Sequence, residues 1–597
     1  MKKTARTAIQ AAKADRKDPS GAIDGAGQTD VMTLRFPALS RLIVLLLICV
    51  GVPSKAVLAQ SPPPLAQRTA QTDLPLDGPR AHMLLPEVRL AIAVDPENRS
   101  ISGEARYLVE ARETLESLAF DLDPRFRISS IRIGQRTLEN SEWANPDGLL
   151  GIALDTPLAE GTSTHVFIAW EGAPHIALNP PWEGGFVWER TPSGEPWIAT
   201  AVQGEGCDLF WPCIDHSSSR IGVIDTLVTV PDGLIAAGNG ALIETRDHGD
   251  GTITFHWRAR DPSNYGVSLQ IGPYQMASRD YHSRFGNIIP IRFWHLPESK
   301  DGAHRLVAEM ATYLDFFEAR IGPYPFADEK AGVAETPHLG MEHQTINAYG
   351  NRFRRDPLGY DWLLQHEFAH EWFANQLTNA TISHMWLHEG IGQWMQPLYL
   401  EWARGRMLHD AEMWRIRQRL HNRVPLVSRD GTLPDYNDRD SGWGTDIYYK
   451  GAWVMHSLRF LVGDDVLFPA LTRLTYGTNN PQPGEIAPVL RTTDDFRAIL
   501  EDMTGDDLAW FFDAYFYRAA LPRLIAKREG RWLDLRWETP SDHDFAMPLE
   551  LQTDGELRRI AMPDGSARVD LGDADTHFLI DPHNRILRYD EAIDGTD

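Results

Sequence analysis

Cysteine is almost missing from this chain, with three in 597 residues. Cys49 lies in an apolar run near the N-terminus, which leaves Cys207 and Cys213 for the folded body. Two cysteines cannot make a disulfide framework, so the fold must rest on hydrophobic cores. One local bridge and a pair of buried free thiols are both open readings. Basic charge is scarce as well: 58 Lys and Arg stand against 83 Asp and Glu, a net charge of −25. Neutralising a phosphate backbone takes clustered Lys and Arg, so a nucleic-acid partner is excluded. An acidic surface serves solubility and says nothing of a substrate. Internal repeats of fixed period are absent too. The apolar run Leu42 to Val52 holds eleven residues, short of the ~20 that a membrane-crossing helix needs.

What surrounds that run gives it a meaning. Arg35 and Arg41 precede it and Val57-Leu58-Ala59 follows, the order of a basic region, a short apolar region and a small-residue cleavage site. Residues 1–59 therefore read as a secretory signal peptide cut near Ala59, with an uncleaved anchor as the weaker reading. A start at Met32 would give the basic region an ordinary length. The mature chain would carry −30, hold no stable membrane span and work in the periplasm or outside the cell.

The apolar share of 43% with 10% aromatics is that of a globular protein, and the length suits two to four domains. Residues 60–83, rich in Pro, Gln and Asp, read as a flexible lead-in. Short alternating runs such as VRLAIAV, TITFHW and GVSLQIG, parted by turn residues, predict an antiparallel β domain of sandwich type over 84–296. From 297 to 521 the apolar spacing is helical, with helices expected at 301–320, 359–378, 386–404, 408–421 and 450–463. Alternation returns over 522–597 as a small C-terminal β domain. The fold class is multidomain α+β.

The chemistry concentrates in YDWLLQHEFAHEWFANQLTNATISHMWLHEGIGQW. His366 and His370, four apart, share one helix face and can reach one cation. Glu367 can point at a water on that cation, and Glu389 sits near the start of the next helix, able to fold back as third ligand. Two His and one Glu, with a fourth position left to water, form a catalytic zinc set. The helix around them is otherwise apolar, and a charged triple there would be costly to bury without an ion. Glu371 and His388 beside them read as hydrogen-bonding or solvent-facing groups, and Gly390 and Gly392 as positions that permit close helix packing.

These residues resemble the aminopeptidase N family of zinc peptidases, the gluzincins, whose third-ligand Glu follows the second His after eighteen residues. Other stretches match in the family's order: VQGEGCDLFWPCID (202–215), IGPYPF (321–326), GMEHQ (340–344), YYKG (448–451), DLAWFFDAYFYRAALP (507–522) and IDPHNRILRY (580–589). The resemblance implies a thermolysin-like catalytic domain, one zinc ion per chain and peptide substrates with a free N-terminus. It implies Glu367 as general base and Tyr448 as donor to the oxyanion. Glu342 would bind the substrate's α-amine, Gln203 would line the amine pocket, and Gly340 and Met341 would border the substrate.

Departures are present too. Leu339-Gly340 precedes Met341-Glu342, His343 stands where the family has Asn, and His388 stands before the third-ligand Glu. The family's large helical C-terminal domain has no counterpart after Pro522, so an open cleft is expected. Rival expectations are an endopeptidase or epoxide hydrolase variant of the family, or a catalytically silent binding or scaffold protein on the same fold. The epoxide hydrolase branch draws on basic residues of the missing helical domain, and silent relatives lose ligand residues, which here are complete.

Overall fold

The computed structural model describes residues 64–595 apart from 430–432, 435–437 and 485. The expected signal segment, 1–59, lies outside them. Among the described residues no helix is long and apolar enough to cross a membrane.

The first strands obey the two-residue period. In Met83–Asp95 the side chains of Val88, Leu90, Ile92 and Val94 are buried and Arg89 and Ala93 are exposed, as a sheet with one wet face requires. An eight-stranded sheet runs 241–247, 252–260, 221–231, 83–95, 100–111, 163–172, 127–133, 136–137. Its pairings are antiparallel except that Met83–Asp95 runs parallel to Ile221–Pro231. A four-stranded and a three-stranded sheet complete this N-terminal part, and their inward side chains share one apolar core.

Two expectations change here. The lead-in is not free where it is described: Thr69 and Arg80 are buried. Arg80 and Arg68 pair with Asp121, and Thr72 Oγ1 donates to Asp215. Asp73 accepts from the backbone N–H groups of Ser217 and Ile382. A polar, Pro-rich text can be a strap when buried charges wait for it. The strands Gln275–His282 and Ile288–His295, expected with the N-terminal β domain, belong instead to a five-stranded sheet with Ala331–Glu335, Asn347–Tyr349 and Gly340–Met341. Their alternation is genuine, but alternation does not say which sheet a strand joins.

Around that sheet pack the helices α1 (Lys300–Arg320), α2 (Trp362–Ala369), α3 (Trp386–Arg404), α4 (Arg406–Arg417), α5 (Trp443–Val462), α6 (Asp464–Tyr476), α7 (Thr493–Thr504) and α8 (Ala509–Tyr515). Two three-stranded sheets follow, 523–529 with 532–538 and 566–570, and 556–560 with 549–553 and 578–580. Their apolar residues, from Leu533 to Leu551, join the same core as the helices.

Candidate active site

The expected helix 359–378 is two pieces. Asp361 caps α2 by accepting from Leu364 N–H at 3.1 Å, and its other oxygen accepts from Tyr349 O–H at 2.5 Å. The cap thus ties the helix start to the five-stranded sheet. The helix ends at His370, where a wider turn over Glu371–Gln376 takes over, with non-helical Phe373 and Ala374. That break brings the Phe373 carbonyl within 3.1 Å of His370 Nδ1, which donates to it. Nε2 is left as the ring's lone-pair nitrogen, the arrangement by which outer partners orient a metal-binding imidazole.

Glu389 lies in the first turn of α3, where the helix dipole favours a negative charge. Its Oε2 is 3.3 Å from His366 Nε2 and 3.4 Å from His370 Nε2, and the two Nε2 atoms are 3.2 Å apart. Ligands about 2.0–2.1 Å from a tetrahedral zinc stand about 3.3–3.4 Å from one another. The three atoms therefore have zinc spacing, and Glu389 Oε2 is buried without a hydrogen-bond partner. The electrostatics agree. Burial works to lower His370, but Glu389, with Glu342 and Glu367 behind it, draws it up to about 10. Burial works to raise Glu389, but the His370 and His366 rings outweigh it and hold it well below the usual carboxylate range. A cation belongs at this point, and the residues fit zinc.

Two glycine contacts let the parts approach. A Cβ on Gly390 would meet Ile447 O at 2.8 Å and Gly451 Cα at 2.9 Å, so α3 and α5 touch backbone to backbone. A Cβ on Gly340 would lie 2.3 Å from Glu367 Oε1 and 2.8 Å from Leu363 Cδ1, so the strand Gly340–Met341 runs close against the buried carboxylate. Burial is the chief reason the Glu367 carboxyl is held well above its ordinary value, with Glu342 and Glu389 adding to it.

The helix carrying YYKG begins at Trp443, seven residues before the expected start at 450. Tyr448 stacks on the His366 ring with centroids 5.7 Å apart. Tyr449 turns elsewhere, accepting from Arg419 at 2.8 Å. Glu342 is buried, and its Oε1 accepts from Gln203 Nε2 at 2.7 Å and from Tyr265 O–H at 2.9 Å. Burial raises its pKa, Glu389 adds to the rise and His370 opposes it. Glu371 is no ligand: its Oε1 accepts from Thr345 N–H and Asn347 Nδ2, both at 2.9 Å, pinning the turn after Glu342. His388 Nε2 accepts from Asn379 N–H at 3.0 Å.

All nine sequence-derived site residues border one cleft of about 440 Å3: Gln203, Gly340, Met341, Glu342, His366, Glu367, His370, Glu389 and Tyr448. Sequence reasoning missed Trp182, Trp362, Gln393 and Arg439 on its walls, and Tyr265 behind Glu342. A lone tyrosine in a strand-like text carries no signal by itself. Cys207 and Cys213 form a disulfide, with Cα atoms 6.2 Å apart.

Residues 354–515 match the peptidase family M1 domain. Aminopeptidase M1-B of Oryza sativa subsp. japonica is 23% identical over 414 residues, covering 65% of this chain and 44% of that protein. Aminopeptidase B of Rattus norvegicus is 27% identical over 301 residues, 46% of this chain and 42% of that protein. The chain thus matches less than half the length of either relative. An M1 zinc metallopeptidase of Deinococcus radiodurans, solved as a mutant with a Tyr-Ser-Ala substrate, superposes with a TM-score of 0.61 at 22% identity. That likeness covers 75% of this chain and 97% of the other, so the fold is that of an M1 metallopeptidase.

Proposed function

Because residues 354–515 form a peptidase family M1 domain, we propose that this protein is a zinc-dependent aminopeptidase that removes residues from free peptide N-termini outside the cytoplasm. One observation carries the reading: Glu342, buried and oriented by two donors, borders the same cleft as the His366, His370 and Glu389 triangle. A carboxylate held there would fix a substrate's α-ammonium and so set which peptide bond comes to the metal.

One zinc ion held by the triangle would supply Lewis acidity toward the scissile carbonyl and the attacking water. Glu367 takes the proton from that water and passes it to the leaving amine nitrogen. Tyr448 donates its O–H to the carbonyl oxygen as negative charge grows there. Glu342, with Gln203 and Tyr265 behind it, holds the amine.

Metal analysis of the purified chain should find about one zinc, and aminoacyl fluorogenic substrates should be cleaved. N-acetylated peptides should be poor substrates, and rapid internal cleavage of one would replace the aminopeptidase reading with an endopeptidase. Export is supported by the Leu42–Val52 run with its Val57-Leu58-Ala59 sequel. The Cys207–Cys213 bridge suits an oxidising compartment. N-terminal sequencing of the secreted protein should begin near Gln60; a retained apolar run in membranes would favour an anchor.

A further inference from the structure

Far along α5 from Tyr448, a second cavity of about 290 Å3 opens between the helices and the C-terminal sheets. In a chain of net charge −25, it gathers four guanidinium groups: Arg406 and Arg459 from the helices, Arg559 and Arg585 from the C-terminal part. Not all of them are spent on carboxylates. Arg459 is, bonded to Asp464 at 2.6 and 2.8 Å and to Glu401 at 2.5 Å. Arg406 meets Asp410 at 3.3 Å. Arg559 donates to the Phe460 and Leu461 carbonyls, both at 3.0 Å, and among the described residues no carboxylate pairs with it. Arg585 Nε has no hydrogen-bond partner; its nearest carboxylate, Glu550, is 3.8 Å away and already takes His583 at 2.9 Å.

The floor is built as well. Phe460 lies under both of these guanidiniums, 4.4 Å from Arg559 and 5.9 Å from Arg585, which holds their planar forks at one place. His456, 4% exposed, lines the cavity, and its buried Nδ1 has no partner. A buried polar nitrogen left unpaired costs free energy. Burial first, and then the nearby His409, Arg459, Arg406 and Arg585, hold the His456 ring well below its usual pKa.

We propose that this cavity binds a compact, multiply charged oxyanion of the phosphate class through Arg559, Arg585 and His456. The Arg559 guanidinium, which has no carboxylate partner among the described residues, and Arg585, held to Glu550 only at 3.8 Å, suit the oxygens of a tetrahedral dianion, and the room beyond a bare phosphate would take a small phosphate monoester. The proposal stands apart from the peptidase reading, since none of these residues borders the zinc cleft.

The test is calorimetric titration of the full chain with inorganic phosphate and, separately, glycerol phosphate, each against chloride at equal ionic strength. Saturable binding of one anion per chain is expected, and the tighter of the two identifies the source. Arg585→Gln, at a side chain 27% exposed, should weaken it about tenfold or more with zinc content and unfolding temperature unchanged. Arg559→Gln should weaken it too, and binding should survive in Glu389→Ala, because phosphate held at the active-site metal would vanish there. No saturable binding beyond chloride overturns the proposal. So does binding that Glu389→Ala abolishes and Arg585→Gln leaves intact.

Discussion

The N-terminal β part and the C-terminal sheets both lean on the same catalytic helices, and they do so by different chemistry. On the C-terminal side the contact is an extension of the core. Phe545 packs its ring 5.1 Å from Trp510 and 5.7 Å from Tyr515 of the helices and 5.3 Å from Trp537 of the sheets. On the N-terminal side hydrogen bonds cross the seam beside apolar contact: Asn239 to the Gln344 carbonyl at 2.8 Å, Lys330 to the Gly238 carbonyl at 2.8 Å, Arg220 to the Asn375 carbonyl at 2.7 Å. From the catalytic part, Trp294, Leu296, Ala334 and Ile346 enter the N-terminal core. Apolar burial is strong and nondirectional, whereas hydrogen bonds fix orientation for little net stability. The sheets that only brace can therefore be greasy, and the part that supplies Gln203 and Tyr265 to the amine site must be polar where it touches.

Breaking the centre itself sets the scale. Glu367→Gln should cut kcat about a thousandfold, within the range of a lost general base, and retain zinc; near-normal turnover would show that Glu367 is not the base. Glu389→Ala should lose zinc on dialysis, because two imidazoles leave the ion short of protein donors. The brace comes next. Phe545→Ala should cost about 3–5 kcal/mol of stability and leave KM unchanged at temperatures where the protein stays folded. A changed KM there would mean that the C-terminal sheets shape the site after all. On the other flank, Glu342→Ala should lower kcat/KM on free N-termini about 10- to 100-fold, with zinc and unfolding temperature nearly unmoved.

What could be read in advance follows the range of the interactions. The triangle was legible because two of its ligands are fixed by one helical turn and the third by a short return, both visible as spacing. Gly390 and Gly451 were visible as letters, but their contact is a property of two helices meeting. Strands 275–295 were legible as strands and not as members of the second sheet, since pairing is nonlocal. The strap was misread because Arg80 and Asp73 find their partners, Asp121, Ser217 and Ile382, far along the chain. The end of α2 at His370 could not be read from apolar spacing, which continues through Trp372 and Phe373.

The smallest expected effect tests the comparison most sharply, and it belongs to Tyr265. Its hydroxyl donates to Glu342 Oε1 at 2.9 Å, beside the Gln203 amide at 2.7 Å, while its ring packs on the N-terminal core. Tyr265→Phe keeps the ring and removes one bond to a carboxylate that keeps another donor. The loss should be about 1–1.5 kcal/mol of transition-state binding, roughly five- to tenfold in kcat/KM, with the unfolding temperature shifted by no more than a degree or two. A purely structural tyrosine would show the reverse, a lower unfolding temperature at constant kcat/KM. The double variant separates the two roles. If Tyr265 acts through Glu342, then adding Tyr265→Phe to Glu342→Ala should change activity no further, because the bond it removes has already lost its acceptor. Additive losses would mean that Tyr265 reaches the substrate, or the fold, by some other route. The polar seam would then not be the means by which the N-terminal part governs the site.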